Sequence, residues 1–182
     1  PLSAITCQVC DWNRLCYGHC ILNVKKNPVH WYKIEQEISL PYLDKVKLDI
    51  PAPTGKKVSI VGAGPAGITA AILLRKRGIE VTMFDEHERV GGVLRYGIPE
   101  FRLKTEHIDS YERLLKDAGV RFKGRVVIGR NITIRELRSI SDAVLICTGA
   151  AVRRKMRIPG AALPCVLPAL SYLENPDAYL LG

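Results

Sequence analysis

The sequence lacks any hydrophobic run long enough to cross a membrane. A spanning helix needs about 20 consecutive apolar residues, and no stretch of the 182 residues approaches that length. The chain also lacks a targeting signal at its start, because Pro1-Leu2-Ser3 has neither an initiator methionine nor the charged and apolar pattern of a secretory signal. We therefore expect a cytoplasmic section of a longer polypeptide that makes no membrane contact.

Acidic residues are scarce relative to basic ones. The 18 Asp and Glu residues stand against 27 Lys and Arg residues, which gives a formal net charge of +9. A basic surface attracts acidic partners, but no nucleic-acid recognition motif accompanies the charge. The charge therefore favours docking to an acidic, ferredoxin-like electron-transfer protein and argues against nucleic-acid binding.

The sequence also has no recognisable catalytic side chain. Its histidines show neither metal-site nor triad spacing: His19, His30, His87 and His107. No other side chain stands out as a general acid or base. We therefore predict no catalytic residue, and we expect any redox chemistry to come from a bound cofactor.

The most informative segment that is present is a glycine-rich turn. Residues 57–61 have the pattern of a buried strand, and Gly62, Gly64 and Gly67 follow in G-x-G-x-x-G spacing. In such a turn the first glycine makes the tight bend, the second lets the backbone approach a pyrophosphate, and the third brings the next helix close to the strand. The helix N-terminus offers free N–H groups and a positive dipole end to the phosphates.

An acid stands where the ribose of a dinucleotide would lie. The second strand pattern, residues 80–84, is followed by Asp85, at a distance from Gly62 that suits hydrogen bonds to ribose hydroxyls. An acid here favours an unphosphorylated ribose, so FAD or NAD fits better than NADP. The alternative, a structural glycine turn that binds nothing, remains open at this point.

The chain divides at a Pro/Gly-rich connection. Residues 1–50 form a cysteine-rich segment, residues 51–55 a linker, and residues 56–182 a strand–helix–strand pattern typical of α/β proteins. The spacing of apolar residues predicts helices at 31–39, 65–77, 105–118 and 133–138, and strands at 57–61, 80–84, 120–123, 126–128 and a buried 143–147.

Four thiols lie close together near the start of the chain. Cys7, Cys10, Cys16 and Cys20 have the spacing C-x2-C-x5-C-x3-C. Disulfides need an oxidising compartment, and structural zinc usually uses two separated ligand pairs. A compact run with short gaps is closest to iron–sulfur spacing, with zinc and structural thiols as the alternatives. The remaining two cysteines are expected to be packing or surface thiols.

A longer motif makes the chain resemble a known family. Residues 91–103, GGVLRYGIPEFRL, are similar to the GG-x-L-R-Y-G-I-P-x-F-R-L signature of the small (beta) subunit of NADPH-dependent glutamate synthase. The same module occurs in dihydropyrimidine dehydrogenase and in the large subunit of NADH-dependent ferredoxin:NADP oxidoreductase. Further similarity lies at residues 16–20, 27–29, 142–150 and 158–160, so the resemblance covers nearly the whole chain.

The resemblance implies an α/β, Rossmann-like FAD-binding domain preceded by a small, mostly helical, cysteine-rich segment. In the family the first glycine motif binds FAD, while NADPH uses a second motif that is absent from this sequence, so the Rossmann-like part is incomplete. Tyr96 is expected to pack. The residues that the resemblance assigns to FAD are Gly62, Ala63, Gly64, Pro65, Ala66, Gly67, Asp85, Glu86, Gly91, Gly92, Val93, Leu94, Arg95, Ile98, Arg102, Val127, Ile128, Cys147, Thr148 and Gly149.

The family also carries two 4Fe–4S clusters in its helical segment. The ligands that the resemblance implies are Cys10, Cys16 and Glu35 for one cluster and Cys20 for the other. The family's upstream cysteine group is absent, and Thr6 stands where the family has a cysteine, with Cys7 beside it. Cys7 is therefore either a replacement ligand or a free thiol, and this chain would complete at most one cluster.

Together these features predict the FAD-binding, iron–sulfur portion of an NAD(P)H-dependent oxidoreductase. Electrons would pass between a nicotinamide, the flavin and a 4Fe–4S cluster, and a missing or separate domain would bind NAD(P)H. Other subunits of an electron-transfer complex are the expected partners. Two alternatives stay open: a non-catalytic flavin or cluster relay or docking subunit, and an NAD-binding dehydrogenase with structural zinc.

Overall fold

A parallel sheet flanked by helices organises the chain, which confirms the predicted α/β class. The computed structural model describes residues 2–150, 152, 154 and 156–180. Across these residues no helix is long and apolar enough to cross a bilayer. The elements are α1 (Ser3–Val9), a 3-10 helix (Ile21–Lys25), α2 (Trp31–Lys45), β1 (Lys57–Val61), α3 (Pro65–Arg75), β2 (Glu80–Phe84), α4 (Val93–Tyr96), α5 (Thr105–Asp117), β3 (Arg121–Lys123), α6 (Ile134–Ile140), β4 (Ala143–Ile146), α7 (Ala169–Glu174) and α8 (Asp177–Leu180).

The order of the strands changes direction at β1, so that later strands are added on both sides of it. The four strands pair in the order β3-β2-β1-β4, and each pair is parallel. From β1 the chain passes through α3 to β2 and then to β3 on one side, and it returns through α6 to β4 on the other side. Open α/β sheets bind ligands outside the carboxyl ends of the strands at such a reversal.

The strand predicted at residues 143–147 is present as β4, but the prediction that it is buried is wrong. Ala143, Leu145 and Ile146 are exposed, and Val144 is half-buried. A continuous apolar run is typical of a central parallel strand. Burial depends on neighbours on both sides, however, and within the described residues β4 pairs with β1 alone and forms one edge of the sheet.

Helix α3 packs against the sheet, and α5 packs against α3 and contributes to the same core. The apolar positions of α5 recur at helical spacing and therefore share one face, as predicted. Those that are buried in the core are Ile108, Tyr111, Leu114 and Leu115. The predicted helix at 65–77 ends earlier, at Arg75, whose guanidinium donates to the carbonyls of Ile79 at 2.9 Å and Ala118 at 2.6 Å. These bonds tie the end of α3 to the end of α5.

The cysteine-rich segment contains two helices that pack on the α/β part. Helix α2 is longer than predicted and continues through Pro41. Helices α1 and α2 contact α5, and Ala4 and Leu43 lie in the same buried core as Ile60. The hydrophobic core thus contains residues from both sides of the linker at 51–55. A division into two domains at that linker stays a prediction.

Two short elements differ from their predictions. The predicted strand at 126–128 is a loop whose first N–H donates to the Asp85 carbonyl at 2.8 Å, so the segment runs beside the end of β2. The predicted helix at 133–138 is displaced by one residue at its start, because Thr133 is the N-cap. Its hydroxyl accepts from the Glu136 N–H, and the Glu136 carboxylate accepts from the Thr133 N–H, which is a capping box.

Candidate functional site

The turn between β1 and α3 leaves a helix N-terminus uncapped. Gly62 has φ 102°, a conformation that favours glycine, and its N–H donates to the Phe84 carbonyl at 2.7 Å. Gly64 is the N-cap of α3, Pro65 is its first residue, and no side chain among the described residues caps the helix. The first N–H groups and the positive end of the helix dipole are therefore available to an anion.

The other glycines of the motif have different steric roles. A Cβ at position 67 would collide with the carbonyl oxygen of Gly62, so Gly67 allows α3 to approach β1. Within the part of the chain that the structure describes, a Cβ at position 64 would meet only the Gly92 Cα, at 3.9 Å. Gly64 therefore borders open space beside the helix N-terminus, and a side chain there would fill the position that a pyrophosphate needs.

An open cleft of about 860 Å³ lies at the carboxyl ends of β1, β2 and β4. This volume is within the range of about 300–1,000 Å³ that is usual for cofactor sites. The fold brings most of the predicted FAD residues to this cleft. Those that line it are Gly62, Gly64, Pro65, Ala66, Asp85, Glu86, Gly92, Val93, Val127, Ile128, Cys147, Thr148 and Gly149.

Asp85 is nearly buried in the wall of the cleft. Its side chain is 9% exposed. One carboxylate oxygen, Oδ2, accepts from the Ala63 N–H at 2.6 Å, and the other, Oδ1, accepts from the His87 N–H at 2.8 Å. The His87 ring nitrogen Nδ1 lies 2.9 Å from the same Oδ1. The carboxylate is thus fixed between the glycine turn and the loop that follows β2.

The remaining predicted FAD residues do not line the cleft. They are Ala63, Gly67, Gly91, Leu94, Arg95, Ile98 and Arg102. Leu94 is buried in the core, and Ile98 packs against it. The Gly91 N–H donates to the Ala63 carbonyl at 2.9 Å, which joins the two glycine loops. Residues of this group support the wall of the site through packing and backbone contacts.

The two predicted arginines bond to other parts of the protein. Arg95 is 7% exposed, and its guanidinium donates to Asp109 and to the Val90 carbonyl, each at 2.7 Å. Burial raises the pKa of Asp109, but the hydrogen bond and charge of Arg95 outweigh burial, so the pKa lies below its usual range. This pair anchors the second glycine loop to α5. Arg102 is exposed and donates to the Val9 carbonyl in α1 at 3.5 Å.

Several residues that line the cleft were missed by sequence reasoning. They are Val61, Phe84, His87, Val126, Ile146, Ala150, Leu170 and Glu174. Most of them are the last residues of strands or neighbours of predicted residues, so the rule that ligands bind at the carboxyl ends of strands could have found them. Leu170 and Glu174 lie on α7, which the apolar pattern does not predict.

The four N-terminal thiols are not gathered into one site. Cys7 is 1% exposed, Cys10 and Cys20 are half-buried, and Cys16 is exposed. Among the described residues, no group of three or more His, Cys, Asp or Glu side chains is placed to hold a metal ion. The ligands predicted from the sequence, Glu35 included, are therefore not grouped here, and their assignment to a cluster stays a prediction.

The thiols also differ in their chemistry. Burial raises the pKa of the Cys7 thiol, and the negative charge of Glu35 raises it further. The backbone N–H of Val29, 3.5 Å from the Cys20 sulfur, lowers the pKa of that thiol. Because the thiolate is the form that binds metals, Cys20 is better prepared than Cys7 for ligand chemistry.

The sheet, the glycine turn and the cleft define a Rossmann-like nucleotide-binding fold. Comparison with protein families agrees with this class. The family described as an NAD(P)-binding Rossmann-like domain matches residues 60–106, which include the glycine turn, α3, β2 and the second glycine loop.

The chain is homologous to the small chain of NADPH glutamate synthase. It is 36% identical over 179 residues to the protein of Azospirillum brasilense, covering 96% of this chain and 37% of the relative. It is 38% identical over 165 residues to the protein of Bacillus subtilis (strain 168), covering 87% of this chain and 33% of the relative. The resemblance predicted from the sequence is confirmed, and the chain spans about a third of the length of these curated relatives.

Solved structures share the fold. FprA, an oxidoreductase of Mycobacterium tuberculosis, matches with a TM-score of 0.60 and 30% identity, covering 65% of this chain and 28% of FprA. That structure reveals a covalent modification of NADP+. FprA in complex with NADPH matches with the same TM-score of 0.60.

Proposed function

We propose that this chain is the FAD-binding portion of an NAD(P)H-dependent oxidoreductase of the glutamate synthase small-chain type. The observation that carries the proposal is that one cleft contains both the uncapped N-terminus of α3 and the carboxylate of Asp85. The first feature suits a pyrophosphate and the second an adenosine ribose. The names of the relatives support the nicotinamide-dependent oxidoreductase part.

The residues of the cleft fit this cofactor. The backbone N–H groups of Gly64 and Ala66 would hold the pyrophosphate, while Pro65 between them has no N–H to donate, and Asp85 would accept from the ribose. The missing side chain at position 64 supports this fit, because it leaves the helix N-terminus open. FAD, when bound, supplies hydride and single-electron exchange, while the protein binds and orients it. NAD(P)H would bind on a separate domain or chain, and other subunits would complete the complex.

A retention experiment tests the FAD assignment. The purified chain, incubated with FAD and then desalted, is expected to keep FAD, because FAD contains both groups that the cleft suits. FMN, which has neither the pyrophosphate nor the adenosine ribose, is expected to be lost. Flavin absorbance and mass spectrometry of the retained ligand measure the retention of FAD and the loss of FMN. Equal retention of FMN would contradict the proposal, and retention of NAD+ in preference to FAD would favour the alternative of an NAD-binding dehydrogenase.

We also propose that the cysteine-rich segment contributes ligands to an oxygen-sensitive iron–sulfur cluster in the cytoplasm. The support is the compact spacing of its thiols, which is closest to cluster spacing, together with the family resemblance. A cluster would have to draw Cys10, Cys16 and Cys20 closer together, or take ligands from elsewhere. Cys7 would be left out, because it is buried in α1.

Iron and acid-labile sulfide in anaerobically prepared protein test this second proposal. Alanine at Cys10 or Cys16 is expected to remove most of the sulfide. Cys7→Ala is expected to retain it, because the thiol lies in the core. Cys165→Ala, at an exposed thiol outside the segment, is the matched control. Zinc without sulfide in every sample would refute the cluster, and loss of sulfide in Cys7→Ala would make Cys7 a ligand.

A further inference from the structure

The carboxylate of Asp85 has almost no spare acceptor capacity. It accepts from the Ala63 N–H at 2.6 Å, from the His87 N–H at 2.8 Å and from the His87 ring at 2.9 Å. An ionised carboxylate offers about four lone-pair sites. One site is therefore left for a ligand, whereas the two hydroxyls of a ribose could use two.

The His87 ring is the donor that can leave. The Ala63 backbone is held because its carbonyl accepts from the Gly91 N–H at 2.9 Å, and the His87 backbone is held because its carbonyl accepts from the Arg125 N–H at 3.0 Å. These two backbone N–H groups orient the carboxylate without help from the imidazole. The ring adds a third hydrogen bond, which a side-chain rotation can break. The imidazole is therefore not needed to position the carboxylate.

The ring is also accessible from the cleft. Its side chain is 30% exposed and lines the cleft beside Asp85. On its other side it stacks on Tyr96, with ring centroids 4.3 Å apart and planes 20° from parallel. The Tyr96 hydroxyl accepts from the Arg89 N–H at 3.1 Å, so the platform beneath the imidazole is fixed. A ligand that enters the cleft therefore meets the imidazole where it meets Asp85.

The charged surroundings make Asp85 the main partner of the imidazole. The titratable and charged groups that neighbour His87 in the chain, bond to the loop that contains it, stack on its ring or line the same cleft are Asp85, Glu86, Glu88, Arg89, Tyr96, Lys123, Arg125 and Glu174. Arg125 pairs with Glu88 at 2.7 Å, Arg89 pairs with Asp109 at 2.8 Å, and Lys123 lies over the Phe84 ring. Among the described side chains, the Asp85 carboxylate bonds to the ring nitrogen, and Glu86 and Glu174 add negative charge to the same cleft.

We propose that the His87 imidazole competes with a ribose hydroxyl for the Asp85 carboxylate and so weakens nucleotide binding. This inference rests on the proposed function only in that the cleft takes an adenine dinucleotide. A ribose that uses both of its hydroxyls on Asp85 has to displace the ring, and the hydrogen bond lost with the ring opposes binding.

Titration calorimetry with FAD and NAD+ tests the competition. His87→Phe keeps an aromatic ring on Tyr96 but has no donor. This variant is expected to bind each dinucleotide about three- to tenfold more tightly than the unmodified chain, because the ribose no longer has to displace a hydrogen bond. His107→Phe, on α5, is the matched control and should behave like the unmodified chain.

The outcomes separate this inference from the FAD assignment. A His87→Phe chain that binds more weakly than the unmodified chain would make the ring a supporting contact and overturn the competition. An unchanged affinity in this variant would overturn it as well. If NAD+ binds and FAD does not, the FAD assignment fails while the His87 effect is still measured on NAD+. If neither dinucleotide binds, both proposals fail.

Discussion

Replacing Gly64 with valine is expected to abolish dinucleotide binding and to leave the fold intact. The backbone at this position, φ −77° and ψ −170°, suits any residue. A Cβ there has open space around it, with the nearest atom, the Gly92 Cα, at 3.9 Å. The added side chain would occupy the space at the uncapped N-terminus of α3, so a pyrophosphate could not reach the N–H groups. We expect affinity for FAD to fall at least about a hundredfold, or about 2.7 kcal/mol.

The measurement pairs calorimetry with thermal unfolding. Valine is a poorer N-cap than glycine, so the free energy of unfolding should fall by about 1 kcal/mol or less. Gly64→Ala serves as the graded control, with a smaller loss of affinity and a smaller change in stability. FAD binding that is unchanged in both variants would show that the nucleotide does not use this helix N-terminus, and the proposed site would have to be abandoned.

The elements that surround the glycine turn were predictable because their signals are local. The strand at 57–61, the helix after Gly64, the second strand and the apolar face of α5 follow from spacing along a short stretch of chain. Asp85 was predictable for the same reason, since its distance from the turn is set by one helix and one strand. These are the parts in which sequence order and spatial order nearly coincide.

The burial of β4 and the composition of the cleft depend on contacts between distant segments. An apolar run such as residues 143–146 reads as a central strand, and the sequence alone does not say that one side of it is left without a neighbour. The contact of His87 with Asp85 depends on the conformation of the loop after β2. Glu174 lines the same cleft but lies in α7, far from Asp85 along the chain. Such contacts have no periodic signature.

The cysteine spacing shows a different limit. Proximity along the chain predicted a shared metal site, but α1 turns the Cys7 thiol into the core, whereas Cys16 lies after this helix and is exposed. A side chain on a helix points to one face, so a thiol in α1 and thiols in the turns that follow need not converge. The iron and sulfide measurements therefore carry the proposal for that segment, whereas the glycine turn can be tested through both binding and stability.

Gly67→Ala is expected to cost about 3 kcal/mol or more of unfolding free energy, in contrast to the tolerance expected at Gly64. Helix propensity alone predicts the opposite, because alanine is about 1 kcal/mol better than glycine inside a helix. Steric collision decides the sign of the change in unfolding free energy. A Cβ at position 67 would collide with the carbonyl oxygen of Gly62 and lie 3.3 Å from the Met83 side chain. Gly62 cannot move aside easily, because its N–H is bonded to the Phe84 carbonyl at 2.7 Å.

Chemical denaturation of Gly67→Ala beside Ala70→Gly measures this balance within one helix. Ala70 is half-buried in α3, and its replacement by glycine should cost about 1 kcal/mol through backbone entropy and propensity. If Gly67→Ala were as stable as the unmodified chain, or more stable, propensity would outweigh the collision and the close approach of α3 to β1 would not be required. A loss of stability larger than that of Ala70→Gly would mean that Gly67 is required for the packing of α3 on β1. Within one motif, Gly64 would then serve the ligand and Gly67 the fold.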